Sequence, residues 1–151
     1  MSSVLQISDA ASLALHASVY LASHKGDAIS TGQMAEVFGA SKAHLSKVLQ
    51  RLSRSGLVRS VRGPKGGFVL AKSPDEVTLK EVYEAIEGKL ETVDCLLGEP
   101  VCTDGECMLG DLLSSLNTKV RRKFAETYLI DLVGTFDDAE GESAETADKK
   151  A

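Results

Sequence analysis

The chain has 151 residues, 43% of them hydrophobic and 26% charged, enough for one ordinary globular core. No apolar run reaches the roughly 18 residues that cross a membrane, and the start, MSSVLQISDAASLA, lacks a basic secretory stretch; a cytoplasmic protein with no membrane partner is expected. The net charge of −5 argues against nucleic acid as a partner only while its distribution is ignored.

Residues 9 to 24, DAASLALHASVYLASH, predict a helix that Asp9 can cap and whose apolar residues cover most of its circumference, so that it is largely buried. Gly26-Asp27 reads as a turn. Ser30 and Gln33 have capping-box spacing and start a short helix that ends near Gly39. Ser41 can cap the next helix, where Leu45, Val48, Leu49 and Leu52 stand at i, i+3, i+4 and i+7 and face a core, before Gly56 ends it. Two short helices around a glycine-containing turn are the helix-turn-helix pattern. Two β-prone segments, 57–62 and 68–71, then flank GPKGG, which is hairpin chemistry and makes a wing. Thr78 and Glu81 box the start of a further helix with Leu79, Val82, Tyr83 and Ile86 on one face, closed by Gly88.

Between Glu36 and Asp75 there is no acidic residue, while Lys42, Lys47, Arg51, Arg54, Arg59, Arg62, Lys65 and Lys72 give +8, leaving −13 for the rest of the chain. A basic island of this kind is the local footprint of a nucleic-acid surface. On the helix from 42 to 54, Ala43, Ser46, Lys47, Gln50 and Arg54 lie opposite the leucine stripe. Small Ala43 permits close approach; Ser46, Lys47 and Gln50 can read base edges in a major groove; Lys42, His44 and Arg51 flank it where phosphates run. Arg62 and Lys65, at the wing tip, can reach an adjacent minor groove. The partner expected is double-stranded promoter DNA.

All three cysteines, Cys95, Cys102 and Cys107, fall in the stretch DCLLGEPVCTDGECML. Three thiols admit no disulfide scheme that uses them all, and a reducing compartment favours metal or redox chemistry over structural bridges. The spacing Cys-x6-Cys-x4-Cys is neither a zinc-finger nor a ferredoxin pattern. Soft thiolates suit an iron–sulfur cluster, with cluster-free thiol chemistry and zinc as alternatives. From Leu109 to Val133 apolar residues recur every three or four positions, which predicts one helix of about six to seven turns and, since its stripe exceeds what one small domain covers, a homodimer built on it. Residues 137–151, DDAEGESAETADKKA, have no large apolar side chain and read as a disordered acidic tail.

The order of parts resembles the Rrf family of winged-helix regulators, with its IscR-like iron–sulfur branch and NsrR-like nitric-oxide branch. The similarity runs over about residues 4 to 134 and is carried by LSRSGLVRSVRGPKGGFVLAK, 52 to 72, and by the three-cysteine loop before a long helix. The resemblance implies a dimeric DNA-binding regulator whose loop cysteines hold a 2Fe–2S or 4Fe–4S cluster. Its base-reading positions fall on Ser46 and Lys47 and its minor-groove arginine on Arg62. IscR-type loops supply a fourth, histidine ligand three residues after the last cysteine, where this chain has Gly110. NsrR-type members use an acidic residue on the partner's first helix, at the position of Ser12 here; His16, one turn on, and Asp9 are the protein candidates, with a small molecule or no fourth protein ligand as the alternative.

The expected protein is therefore mainly α: a winged helix-turn-helix domain over 1–90, a cysteine loop over 91–108, a dimerisation helix over 109–136 and the tail over 137–151. It acts as a DNA-binding regulator, a repressor by preference, that senses redox state, nitric oxide or iron–sulfur status. The competing readings are a cluster-free regulator working through thiol oxidation or a protein partner, and an iron–sulfur carrier that binds no DNA. No phosphate loop, nucleophile elbow or paired-carboxylate motif points to an enzyme.

Overall fold

The computed structural model describes residues 7–97, 99, 101–102 and 107–136. Helices α1 (Asp9–Ser23), α2 (Thr31–Phe38) and α3 (Lys42–Arg54) come first. Strands β1 (Val58–Val61) and β2 (Gly67–Leu70) follow, then α4 (Leu79–Glu87), α5 (Leu112–Glu126) and a 3-10 turn over Leu129–Leu132. It is the mainly helical winged-helix architecture expected from the sequence.

Helix α1 is the spine. Ala11, Ala14 and Ala17 have no exposed surface, and their small side chains let α3 and α4 pack close against it. Its cap is Ser8, whose hydroxyl accepts from Ala11 N–H, and not Asp9, which is the first helical residue. Both capping boxes form as predicted, Ser30 with Gln33 and Thr78 with Glu81. On α3, Leu45, Val48, Leu49 and Leu52 are each at most 1% exposed, so the leucine stripe is the inner face of the core.

The wing is an antiparallel hairpin in the register Val58↔Leu70, Ser60↔Phe68 and Val61↔Gly67. A third segment docks on it that hydropathy patterning alone does not announce. Ile29, between α1 and α2, exchanges two backbone hydrogen bonds with Phe68, at 3.0 and 2.8 Å. The wing is thus tied to the start of the helix-turn-helix. That close approach requires glycine at 67. A Cβ there would lie 2.7 Å from the Ser30 nitrogen and still nearer the Ile29 carbonyl.

The helix expected over 109–133 is interrupted. Helix α5 ends at Glu126, and Thr127 and Tyr128 are extended. The break is made by tertiary pairing: Leu79 N–H donates to Thr127 O at 3.0 Å and Leu129 N–H to Val77 O at 2.9 Å. The Asp131 carboxylate also accepts from Tyr128 N–H at 2.9 Å, a local stop signal. The gain is the complete burial of Leu129, about 2 kcal/mol of apolar transfer. Leu132, near the end of the predicted stripe, and Phe136 beyond it pack on the chain's own core, while Val133, the last residue of the stripe, is exposed. The predicted tail, 137–151, lies outside the described residues.

Candidate nucleic-acid interface and cysteine loop

The turn Gly39-Ala40-Ser41 fixes α3 relative to α2: Ala40 N–H donates to Ala35 O at 2.9 Å, and the Ser41 hydroxyl accepts from His44 N–H at 3.4 Å. Burial of the leucine stripe then turns Lys42, Ala43, His44, Lys47, Gln50 and Arg54 to solvent, with Ser46 half-buried beside them. Arg62 and Lys65 are exposed at the wing tip. Among the described residues, Lys72 alone of the eight island cations is ion-paired, with Glu81 at 3.8 Å. Lys42, Lys47 and Arg54 on α3 and Arg62 and Lys65 on the wing tip are exposed with no carboxylate partner among the described residues, which suits a phosphate-binding surface. Arg51 departs from the expected phosphate role. Its guanidinium donates to the Ile86 carbonyl at the end of α4, which locks the recognition helix to the helix behind it.

The thiol loop is anchored at its start. Leu90 N–H donates to Glu84 on α4 at 2.9 Å. Asn117, only 6% exposed in the middle of α5, donates its amide to Val93 O at 3.0 Å, and Arg121 donates to the Thr92 hydroxyl. Cys95 follows two residues after Val93, so this clamp holds the chain just ahead of the first thiol. Sequence reasoning missed this clamp; its signal is the lone asparagine inside an apolar stripe, four residues from Leu113 and three from Val120.

All three cysteines are free, Cys102 exposed and the other two half-exposed. Leu109 N–H points at Cys107 Sγ, 3.4 Å away, and Cys95 Sγ lies 3.5 Å from Glu99 O. Residues 103–106, Gly98 and Pro100 of the loop lie outside the described residues. Gly110, where a histidine ligand stands in the IscR-like pattern, has φ +57°, a left-handed conformation that disfavours any β-carbon. Among the described residues no three His, Cys, Asp or Glu side chains gather as a metal site, so the thiols and His16 do not converge within one chain. His16 is exposed on α1, most of whose other residues are buried or half-buried. Its ring meets Phe38 and Phe136 edge-on, each at 6.1 Å, and its Nδ1 lies 2.6 Å from Ser12 O. Donation from Nδ1–H to that carbonyl leaves Nε2 with a free lone pair, the tautomer a metal ligand needs.

Exposed apolar side chains stand on the loop itself and on the first turns of α5. Leu97 (72% exposed), Val101, Met108, Leu112 and Leu116 are open, whereas Leu113 and Phe124 on the other side of α5 are buried, Phe124 edge-on to Tyr83 at 5.5 Å. The stripe read from sequence as one seam is two faces, an inner one on α4 and an outer one.

A helix-turn-helix with a basic outward face and a wing tethered to it define a winged-helix DNA-binding transcriptional regulator. Residues 7–135 match the family model described as Rrf2: Iron-dependent Transcriptional regulator, and the chain belongs to that family. It is 31% identical over 137 residues to the HTH-type transcriptional regulator NsrR of Halalkalibacterium halodurans, covering 89% of this chain and 94% of that protein. It is 32% identical over 116 residues to the HTH-type transcriptional regulator IscR of Erwinia tasmaniensis, covering 76% and 69%. Its fold is similar to the structure of CymR (YrzC), the global cysteine regulator of B. subtilis, at TM-score 0.71 and 27% identity over 87% of this chain and 98% of that one. No helix among the described residues is long and apolar enough to cross a membrane.

Proposed function

We propose that the chain is a homodimeric, cytoplasmic repressor that reads promoter DNA with α3 and the wing, and that Cys95, Cys102 and Cys107 hold an iron–sulfur cluster whose state sets DNA affinity. The observation that carries this reading is the set of three free, solvent-reachable thiols on one irregular loop that Asn117 and Arg121 clamp to α5. Donor chemistry fits the group: thiolates are soft, and an N–H aimed at Cys107 Sγ stabilises negative charge on sulfur. The names NsrR and IscR among its relatives support it. When bound, the cluster supplies a centre whose charge and ligation respond to oxidants, nitric oxide or iron supply.

The protein's own residues do the rest. Lys47, Gln50 and Ser46 meet base edges, Lys42, His44 and Arg54 meet phosphates, and Arg62 and Lys65 enter the flanking groove. Arg51 positions α3 from behind. A second copy covers Leu112, Leu116 and the apolar loop residues, which fixes the spacing of the two recognition helices at one helical turn of DNA, about 34 Å. Any change in loop geometry reaches α5 through Asn117 and alters that spacing. His16 of the opposite subunit would supply the fourth ligand, ahead of Asp9, since its Nδ1 is engaged with Ser12 O and Nε2 is the ring nitrogen left over.

A second reading has its own observation. Cys102 is exposed and the fold is similar to that of a cysteine regulator, which suits a cluster-free thiol switch. Anaerobic purification with iron and sulfide analysis, absorption and Mössbauer spectra separates the two. Near-stoichiometric iron and acid-labile sulfide, lost on Cys95→Ala, Cys102→Ala or Cys107→Ala, is the result expected. A colourless, iron-free dimer that binds promoter DNA would establish the thiol switch instead.

A further inference from the structure

Residues 137–151 contain six carboxylates, Asp137, Asp138, Glu140, Glu142, Glu145 and Asp148, ahead of Lys149 and Lys150. The structure places the point from which this segment departs. Phe136 is seated in an aromatic cluster, 5.8 Å from Phe38 and 5.5 Å from Tyr20, and the segment before it is tied to α1 by Gly134 N–H donating to Ser23 Oγ at 3.4 Å. Phe38 is the last residue of α2, and only residues 39–41 separate it from α3. The acidic segment therefore leaves the fold beside the turn of the helix-turn-helix.

We propose that the acidic segment 137–151 docks on the outward face of α3 of its own chain and competes with DNA for it. Reach permits it: 15 residues extend to about 50 Å, whereas α3 is about 20 Å long. Charge complementarity selects the surface. Lys42, Lys47 and Arg54 have no carboxylate partner among the described residues, and a run of spaced carboxylates presents to them what a DNA strand presents in phosphates. Proximity selects it further, since a segment tethered beside α3 meets it at high effective concentration. The other basic cluster, Lys119, Arg121, Arg122 and Lys123, sits on α5, which the chain has left by way of the extended Thr127–Tyr128 link before it reaches Phe136. The proposal rests on α3 being the DNA-contacting helix. Non-specific DNA displaces the segment poorly, while a promoter with base contacts to add displaces it well, so the segment raises discrimination at the cost of affinity.

The test uses the full chain with Asp137→Asn, Asp138→Asn, Glu140→Gln, Glu142→Gln, Glu145→Gln and Asp148→Asn combined. Without DNA, at low salt, backbone amide NMR signals of Lys42–Arg54 shift between wild type and variant, and the two spectra converge at high salt as screening releases the segment. Non-specific DNA binding tightens about tenfold in the variant, with a steeper salt dependence, because DNA no longer replaces ion pairs already made. Shifts confined to residues 119–123 overturn the proposal in favour of docking on α5. Tighter DNA binding with no shift at α3 overturns it in favour of long-range repulsion, and no change in either sinks it outright. Lys47→Ala, measured on promoter DNA, keeps the two ideas apart: shifts at α3 with no loss of DNA binding on this substitution count against α3 as the DNA-reading helix, not against docking.

Discussion

Gly67→Ala tests whether the wing is held by the helix-turn-helix. The new Cβ would meet backbone atoms of Ile29 and Ser30, not the end of a flexible side chain, so β2 has to withdraw. Withdrawal breaks the pair of hydrogen bonds between Ile29 and Phe68. At about 0.5–1.5 kcal/mol net each, the loss is about 1–3 kcal/mol, or about 3–12 °C in Tm for a domain of this size. The wing tip then swings with the strand, and Arg62 loses its groove contact, a further cost in DNA affinity of about 1–3 kcal/mol. Thermal unfolding and fluorescence anisotropy on promoter DNA read the two effects separately. Ser60→Ala, exposed on β1 across from Phe68, is the control and changes neither. A Gly67→Ala protein with wild-type Tm refutes the close approach. A lowered Tm with unchanged DNA affinity refutes the wing as a reading element.

Arg62→Ala weakens promoter binding by about 1–3 kcal/mol, while Lys72→Ala, already engaged with Glu81, does little; equal losses in anisotropy titrations would reduce the island to a diffuse field. Leu116→Glu, at a position 36% exposed, leaves the fold intact and splits the dimer, whereas Val120→Glu, packed on the core, unfolds it; sedimentation and circular dichroism showing an intact dimer for Leu116→Glu contradict the seam. Ser18→Ala removes a buried hydroxyl with no partner among the described residues, so stability in denaturant is unchanged or higher; a loss above about 1 kcal/mol would show that the hydroxyl is satisfied. His16→Ala changes the anaerobic absorption spectrum and hastens its loss in air; identical band positions and stability make His16 a residue of the aromatic cluster only.

Local chemistry made much of this fold legible. A capping box needs only Ser30 and Gln33, or Thr78 and Glu81, and both form where the spacing put them. The leucine stripe of α3 and the glycines around Pro64 likewise act through neighbours in sequence. What escaped depends on distant partners. The wing's third segment at Ile29 is an isolated bridge of one residue, too short for a period. The helix break at Thr127 follows from hydrogen bonds to Val77 and Leu79, against an apolar spacing that runs on as if helical. Ser8 outcompeted Asp9 as cap because a helix start is fixed by which side chain reaches the free N–H groups, and adjacent residues both can. At the site, the basic face was readable as charge, since surface cations have no competing burial. The tether of Arg51 to Ile86 and the clamp of Asn117 on Val93 were not, because each takes its meaning from a carbonyl at least 24 positions away.

If the thiol loop governs DNA binding, promoter affinity follows cluster content. Promoter affinity is determined by anisotropy under anaerobic conditions for the wild-type chain and for Cys102→Ala, with iron and sulfide content and dimer mass measured on the same samples. The wild type is expected to bear a cluster, the variant to be iron-poor yet dimeric, and their affinities to differ about tenfold or more. Equal affinities for iron-loaded and iron-poor dimers would contradict that control, leaving a DNA-binding protein whose cysteines do not control α3.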